Sequence, residues 1–273
     1  TPDADAWIAQ VESKVIGELT DRGDATANEL RKAIPEMRET LTFGDGKSWG
    51  GTVGVSTRVL FMLAAQGRIV RGRPRGTWVS SQYRWALTSQ WLGEPLDDMD
   101  PQAARAELVS RWLRQFGPGT TTDIKWWTGW TARDTRAAIA MLDVVEVDLE
   151  DGPGWLLADD INPVEPTSDW VALLPSLDPT VMGWKERDWY LGEHAPALFD
   201  RNGNAGPTVW WNGQVVGGWA QSEDGEVAVR LLTEVPAVAL EAIEEETHRL
   251  TEWLGPVRLI PRFRTPLERE LTG

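Results

Sequence analysis

The sequence predicts an α+β protein built as two tandem winged-helix domains, residues 1–93 and 101–160, followed over 161–273 by an antiparallel β-sheet or β-barrel-like domain with a C-terminal helix. Three observations predict it. An order of patterns (amphipathic helix, capped short helix, second apolar-faced helix, strand, turn, strand) occurs twice in the first 160 residues. The remainder is rich in short β-like runs closed by Asn212-Gly213 and Asp224-Gly225, strong two-residue turn signals. Charge is also segregated: Gly46 to Gly93 holds seven basic residues and no acid, in a chain of formal charge -15.

Taken in order, Pro2 to Leu19 reads as a helix with Trp7, Ile8, Val11, Val15, Ile16 and Leu19 on one face. Thr26-Ala27-Asn28-Glu29 is an N-cap with Glu three residues on, opening a short helix that Pro35 stops. The Gly-rich link from Pro35 to Thr52 carries no assignable element. Residues 53–66 form a helix through Val55, Val59, Leu60, Met62 and Leu63, then come a strand Ile69-Val70, the turn Arg71 to Gly76 and a return strand Thr77-Trp78-Val79.

The second copy opens with Pro101 to Phe116, apolar at Ala104, Leu108, Trp112, Leu113 and Phe116. Thr120 to Lys125 repeats the cap, acid, apolar and base order of Thr26 to Arg31. A helix over Thr131 to Leu142, a strand Val144 to Val147, a turn through Asp151-Gly152 and a strand Trp155 to Leu157 complete it. Farther on, Val171 to Leu174, Thr208 to Trp211, Gln214 to Ala220, Glu226 to Leu232 and Val257 to Ile260 read as strands. Pro236 to Leu254 reads as a helix apolar at Val238, Leu240, Ile243, Leu250 and Leu254.

Composition excludes several classes of function. With no cysteine and two histidines, His194 and His248, neither disulfides nor thiolate or histidine metal clusters can form, and no metal or cofactor is predicted. No apolar run approaches the roughly 18 residues of a membrane span, so the expected location is cytoplasmic. Gly44-Asp45-Gly46 and Gly50-Gly51 lack the strand and the Lys-Ser/Thr ending of a phosphate loop.

The expected chemistry is contact with double-stranded DNA. The candidates are Lys47, Arg58, Arg68, Arg71, Arg73, Arg75 and Arg84, with 20 bases against 42 acids left elsewhere. A basic turn can lie on a phosphate backbone while the preceding helix enters the major groove. In the second copy the corresponding turn carries Glu146, Asp148, Glu150 and Asp151, so at most Lys125, Arg133 and Arg136 contribute. Against this stands the bland alternative that basic surface turns often contact nothing. The densest polar cluster, Asp178 with Lys185, Glu186, Arg187 and Asp188, is read as a turn and a solvated loop rather than as acid-base machinery.

Leu173-Leu174-Pro175-Ser176-Leu177-Asp178-Pro179, Gly183-Trp184-Lys185-Glu186-Arg187, Pro207-Thr208-Val209, Asn212 to Gly217, Arg114 to Pro118 and Trp126 to Gly129 together resemble a bacterial family of tandem winged-helix proteins. That family includes DNA glycosylases that unhook interstrand crosslinks and remove bulky alkylated bases. The resemblance implies three winged helices and a β-barrel-like domain, of which this chain would supply the last two and the barrel. It also implies a Gln-x-Gln or Gln-x-Asp motif that positions the hydrolytic water, and none of the eight glutamines forms one. No catalytic residue is therefore carried over. The expectation is either a catalytic segment upstream of Thr1 or a member that binds without hydrolysis, a DNA-binding regulatory module or a scaffold for protein contacts.

Overall fold

The computed structural model describes residues 4–150, 152–259, 261 and 263–272. The chain divides into two compact units, Thr1–Asp98 and Met99–Gly273. Residues 101–160 and 161–273, separate domains by sequence, share the second unit.

In the first unit, α1 (Ala4–Arg22) buries Val11, Val15 and Leu19, one residue per turn, against the core. Pro2, the expected start of this helix, lies outside the described residues. A short strand, β1 (Asp24–Thr26), leads into α2 (Ala27–Ala33) through a reciprocal cap: the Thr26 hydroxyl accepts from Glu29 N at 3.2 Å, and the Glu29 carboxylate accepts from Thr26 N at 2.7 Å. The unassigned Pro35 to Thr52 link contains a short 3₁₀ turn, Pro35–Arg38, that buries Met37, then a hairpin of β2 (Thr40–Phe43) and β3 (Gly51–Gly54). All four residues of β2 are exposed. Helix α3 (Val55–Ala65) buries Val55, Val59, Leu60 and Leu63, and Gly67, at φ 69°, turns the chain into β4 (Ile69–Pro74).

The return strand is not Thr77-Trp78-Val79, as the local β-propensity suggests. It is β5 (Tyr83–Leu87), with Ile69 opposite Leu87, and helix α4 (Thr88–Leu92) follows. This register buries Trp85 beside Ile69 in the core, while Trp78 and Val79 stay more than 40% exposed in the connecting loop. Burial of a large aromatic outweighs the preference of a three-residue run. The sheet order is β1-β5-β4.

The second unit opens with α5 (Pro101–Phe116), whose first N–H groups are capped by Asp100. Its buried stripe is Ala106, Val109, Trp112 and Leu113, rotated from the expected one so that Leu108 faces outward. Strand β6 (Gly119–Thr120), helices α6 (Thr121–Thr128) and α7 (Ala132–Ile139), and strands β7 (Val144–Leu149) and β8 (Gly152–Leu157) follow. Their sheet order, β6-β8-β7, repeats that of the first unit. Asp151, in the expected turn, lies outside the described residues.

The rest of the unit comprises β9 (Val171–Leu174), the short helices α8 (Asp188–Leu191) and α9 (Ala195–Leu198), β10 (Thr208–Trp211), β11 (Gln214–Gln221), β12 (Val227–Leu231), α10 (Ala237–Leu254) and α11 (Pro266–Thr272). Strands β9 to β12 form an open antiparallel sheet in the order β12-β11-β10-β9, with the β10–β11 turn at Asn212-Gly213, both at positive φ. Among the described residues this sheet does not close into a barrel, which corrects the barrel alternative. Val257 to Leu259 is not a fifth strand. The buried Gln221 amide binds Val257 O at 3.0 Å and accepts from Leu259 N at 2.8 Å, which takes the groups a ladder would have used; Ile260 lies outside the described residues. Helix α10 buries Ala239, Ile243 and Leu254, spaced so that Val238 and Leu240 point outward, contrary to the expected stripe. No described helix is long and apolar enough to cross a membrane.

Candidate nucleic-acid interface

Position in the fold sorts the basic residues of Gly46 to Gly93 into two groups. Arg84, on β5, binds Asp24 at 2.7 Å and lies 3.4 Å from Glu29, joining the strand to β1 and to the cap of α2. These hydrogen bonds raise the Arg84 pKa, with Asp24 the main cause. Glu29 is held below its ordinary 4.5 first by the Thr26 backbone N–H, then by the Thr26 hydroxyl, with Arg84 and Arg75 adding attraction. Arg68 pairs with the mostly buried Glu12 of α1 at 3.2 Å. Arg68 thus braces the base of the β4–β5 hairpin, and Arg84 ties β5 to β1 near the hairpin's loop end, so both are engaged within the fold.

Arg71 lies over the rings of Tyr83 and Trp85, 5.5 and 5.3 Å from their centroids, so its guanidinium is held flat against the hairpin with its edge exposed. Arg73 continues along the same strand, and Arg75 follows its last residue. The pattern along β4 alternates, with Arg71 and Arg73 exposed and Gly72 and Pro74 half-buried. Among the described residues Arg73, Arg75, Arg58 on α3 and Lys47 at the tip of the β2–β3 hairpin have no carboxylate partner, and all four are exposed. A close approach of backbone to ring shapes that hairpin: a Cβ on Gly44 would sit 2.4 Å from the Trp49 ring.

Aromatic side chains were missed as companions of the charge. Phe61 on α3 and Trp49 on the hairpin are 65% and 67% exposed, large apolar surfaces that solvent does not favour. The signal was present in the sequence, since Phe61 falls off the apolar stripe of its own helix.

In the second copy Lys125 on α6 and Arg133 and Arg136 on α7 are exposed and without ion pairs among the described residues. The hairpin beside them carries Glu146 and Asp148 on β7. The polar cluster read as a loop has structural work. Lys185 N and Glu186 N donate to one oxygen of buried Asp123 at 2.8 and 3.0 Å, while the other accepts from the N–H and hydroxyl of Thr120. Asp178 accepts from Thr180 N, and Arg187 stacks between Trp126 and Phe199. A cavity of about 290 Å³ beside them is walled by Phe116, Trp184 and Trp189 with Asp123, Glu150 and Glu186. Such a wall suits a flat group carrying N–H donors or positive charge and repels phosphate.

A protein-family model described as "DNA glycosylase AlkZ-like" matches residues 2–253. The chain belongs to the AlkZ-like DNA glycosylase family. That membership supports a DNA-repair glycosylase-like function for the chain. Among solved structures, the Streptomyces sahachiroi DNA glycosylase AlkZ has the same fold, with a TM-score of 0.68 at 22% identity over 90% of this chain and 67% of its own. Comparison with curated proteins finds no match.

Proposed function

We propose that this chain is a duplex-DNA-binding, tandem winged-helix member of the AlkZ-like family, acting where bases are alkylated or strands crosslinked. Residues 4–93 form the DNA-contacting winged helix and residues 101–160 a second that packs against residues 161–273. The carrying observation is that Arg73 and Arg75 stand exposed on a hairpin braced at its base by Arg68–Glu12 and along β5 by Arg84–Asp24. A rigid support with unspent guanidinium groups is what phosphate binding needs, since little side-chain freedom remains to be lost outside the arginines themselves. In this reading the hairpin follows the backbone, Arg58 of α3 faces the major groove, and Lys47, Arg71, Lys125, Arg133 and Arg136 add peripheral contacts. Arg68 and Arg84 act as supports. Hydrolysis is assigned to no side chain.

The test is duplex binding as a function of salt together with base release. Log affinity should fall against log salt by about 0.9 per phosphate neutralised, and Arg73→Ala should reduce that slope by about one. An unchanged slope removes Arg73 from the interface. Base release from N-alkylated or crosslinked duplex supports the glycosylase reading; duplex binding without release supports a non-catalytic module. Failure to bind duplex at low salt leaves a protein-interaction scaffold.

A further inference from the structure

We propose that a second cavity, walled by Arg201, Arg264 and Arg269 in the second unit, is a binding site for a phosphate group. It measures about 830 Å³ and opens between the turn after α9 and the segment leading into α11. Its C-terminal wall lies beyond residue 253, where the family match ends, and it shares no residue with the interface above.

The two walls are clamped together. Thr265 and Glu268 form a reciprocal cap at the start of α11, with Thr265 N donating to Glu268 at 2.8 Å and Glu268 N to Thr265 at 3.3 Å. Gly206, in the segment between the α9 turn and β10, approaches so closely that a Cβ there would lie 2.6 Å from Thr265 and 2.9 Å from the Glu268 carboxylate. Strand β11 and α9 pack behind α11, so the arginines are borne on a fixed frame.

Nearby acids are already engaged. Asp200 itself lines the cavity, but it accepts from the backbone N–H of Asn202 and Asn204 and from the Asn204 amide, at 2.8 to 2.9 Å, and these bonds, the Asn204 N–H first, hold its pKa below the ordinary range. Glu268 is buried in its cap, and Glu270 pairs with Arg230. Other arginines nearby are also engaged: Arg249 pairs with Glu246, and Arg258 donates to backbone carbonyls. Among the described residues Arg201, Arg264 and Arg269 alone line this cavity as cations, and none has a carboxylate partner; Arg264 donates to the Thr272 hydroxyl at 2.8 Å.

Residues 161–273 hold 18 acids and nine bases, so three guanidinium groups against the single lining carboxylate of Asp200 run against the local balance. Their mutual repulsion is relieved by an anion, and the planar fork of arginine matches the oxygens of phosphate. A phosphodiester of the DNA backbone and a free phosphate share this chemistry.

The experiment compares the intact chain with Arg201→Gln/Arg269→Gln. Thermal midpoints are read in inorganic phosphate against chloride at matched ionic strength, and duplex binding is read across a salt series. A midpoint raised by phosphate in the wild type but not in the variant supports the site with free phosphate as the occupant. A salt slope shallower by about two supports it with DNA backbone as the occupant. A folded variant equal to wild type in both measurements overturns it. If the double variant does not fold, Arg201→Gln is read the same way, with a slope change of about one. Arg73→Ala, run alongside, separates this site from the hairpin: failure of the duplex reading abolishes DNA binding in every protein and leaves the phosphate measurement intact.

Discussion

The two helix-and-hairpin repeats differ less in fold than in what they do with the same parts. Both run from a short strand through a capped helix to a second helix and a hairpin, with sheet orders β1-β5-β4 and β6-β8-β7. Both use a Thr with an acid three residues on, Thr26 with Glu29 and Thr120 with Asp123. In the first repeat the capping acid is partly exposed and linked to Arg84; in the second it is 2% exposed and holds the backbone of Lys185 and Glu186. One repeat keeps its surface open and basic. The other uses the equivalent position to join a neighbouring segment, and its hairpin is acidic. The comparison teaches that a duplicated motif can separate a binding role from a structural one by changing partners at one position.

The largest expected effect comes from inverting the charge of the first hairpin. Arg71→Glu/Arg73→Glu/Arg75→Glu should weaken duplex affinity about 10³-fold at about 0.1 M salt, since each lost phosphate contact is worth roughly tenfold there. Anisotropy titration measures it, and a loss of less than about tenfold would erase the distinction between the repeats. Next come the caps. Asp123→Ala strands four donors, two of them buried, and should lower stability by about 3 kcal/mol in urea unfolding, against about 1 kcal/mol for Glu29→Ala. Equal losses would mean that the two acids are equivalent after all.

Acid should act on both repeats in the same direction. Glu29 is held below 4.5, and Asp159, bonded by Arg114, below 3.8. A lowered carboxyl pKa means the unfolded chain binds the proton more readily, so this stabilisation is complete above about pH 5 and drains away as pH falls through the folded pKa values. Thermal midpoints should be level from pH 7 to about 5 and decline below it. The smallest effect belongs to Arg133→Gln/Arg136→Gln, which should change the DNA salt slope by less than about one.

Much of the fold was legible because it rests on local signals. The caps at Thr26 and Thr120 and the turn at Asn212-Gly213 state their geometry within a few residues. What depended on distant burial was not. Thr77-Trp78-Val79 looks as much like a strand as Tyr83 to Leu87, and only the seat for Trp85 decides between them. Along α5 the seat of Trp112 against Gly119, where a Cβ would lie 2.3 Å from its ring, was legible only as an apolar position, and the burial of Ala106 and Val109 in place of Ala104 and Leu108 has no local signal. At the interface, charge could be counted but not assigned: nothing local shows that Arg68 and Arg84 find carboxylates 56 and 60 residues away while Arg73 does not.

The embrace of Asp123 by the backbone of Lys185 and Glu186, with the Trp184 indole bonded to Phe116 O at 3.0 Å, bears on where the chain can be cut. A protease nicking the stretch around residue 98 cuts between the two compact units and leaves each one whole. A fragment ending at residue 160 would carry an Asp123 side chain stripped of half its donors and a bare aromatic face, and should be recovered as insoluble material unless the remaining residues are supplied in trans.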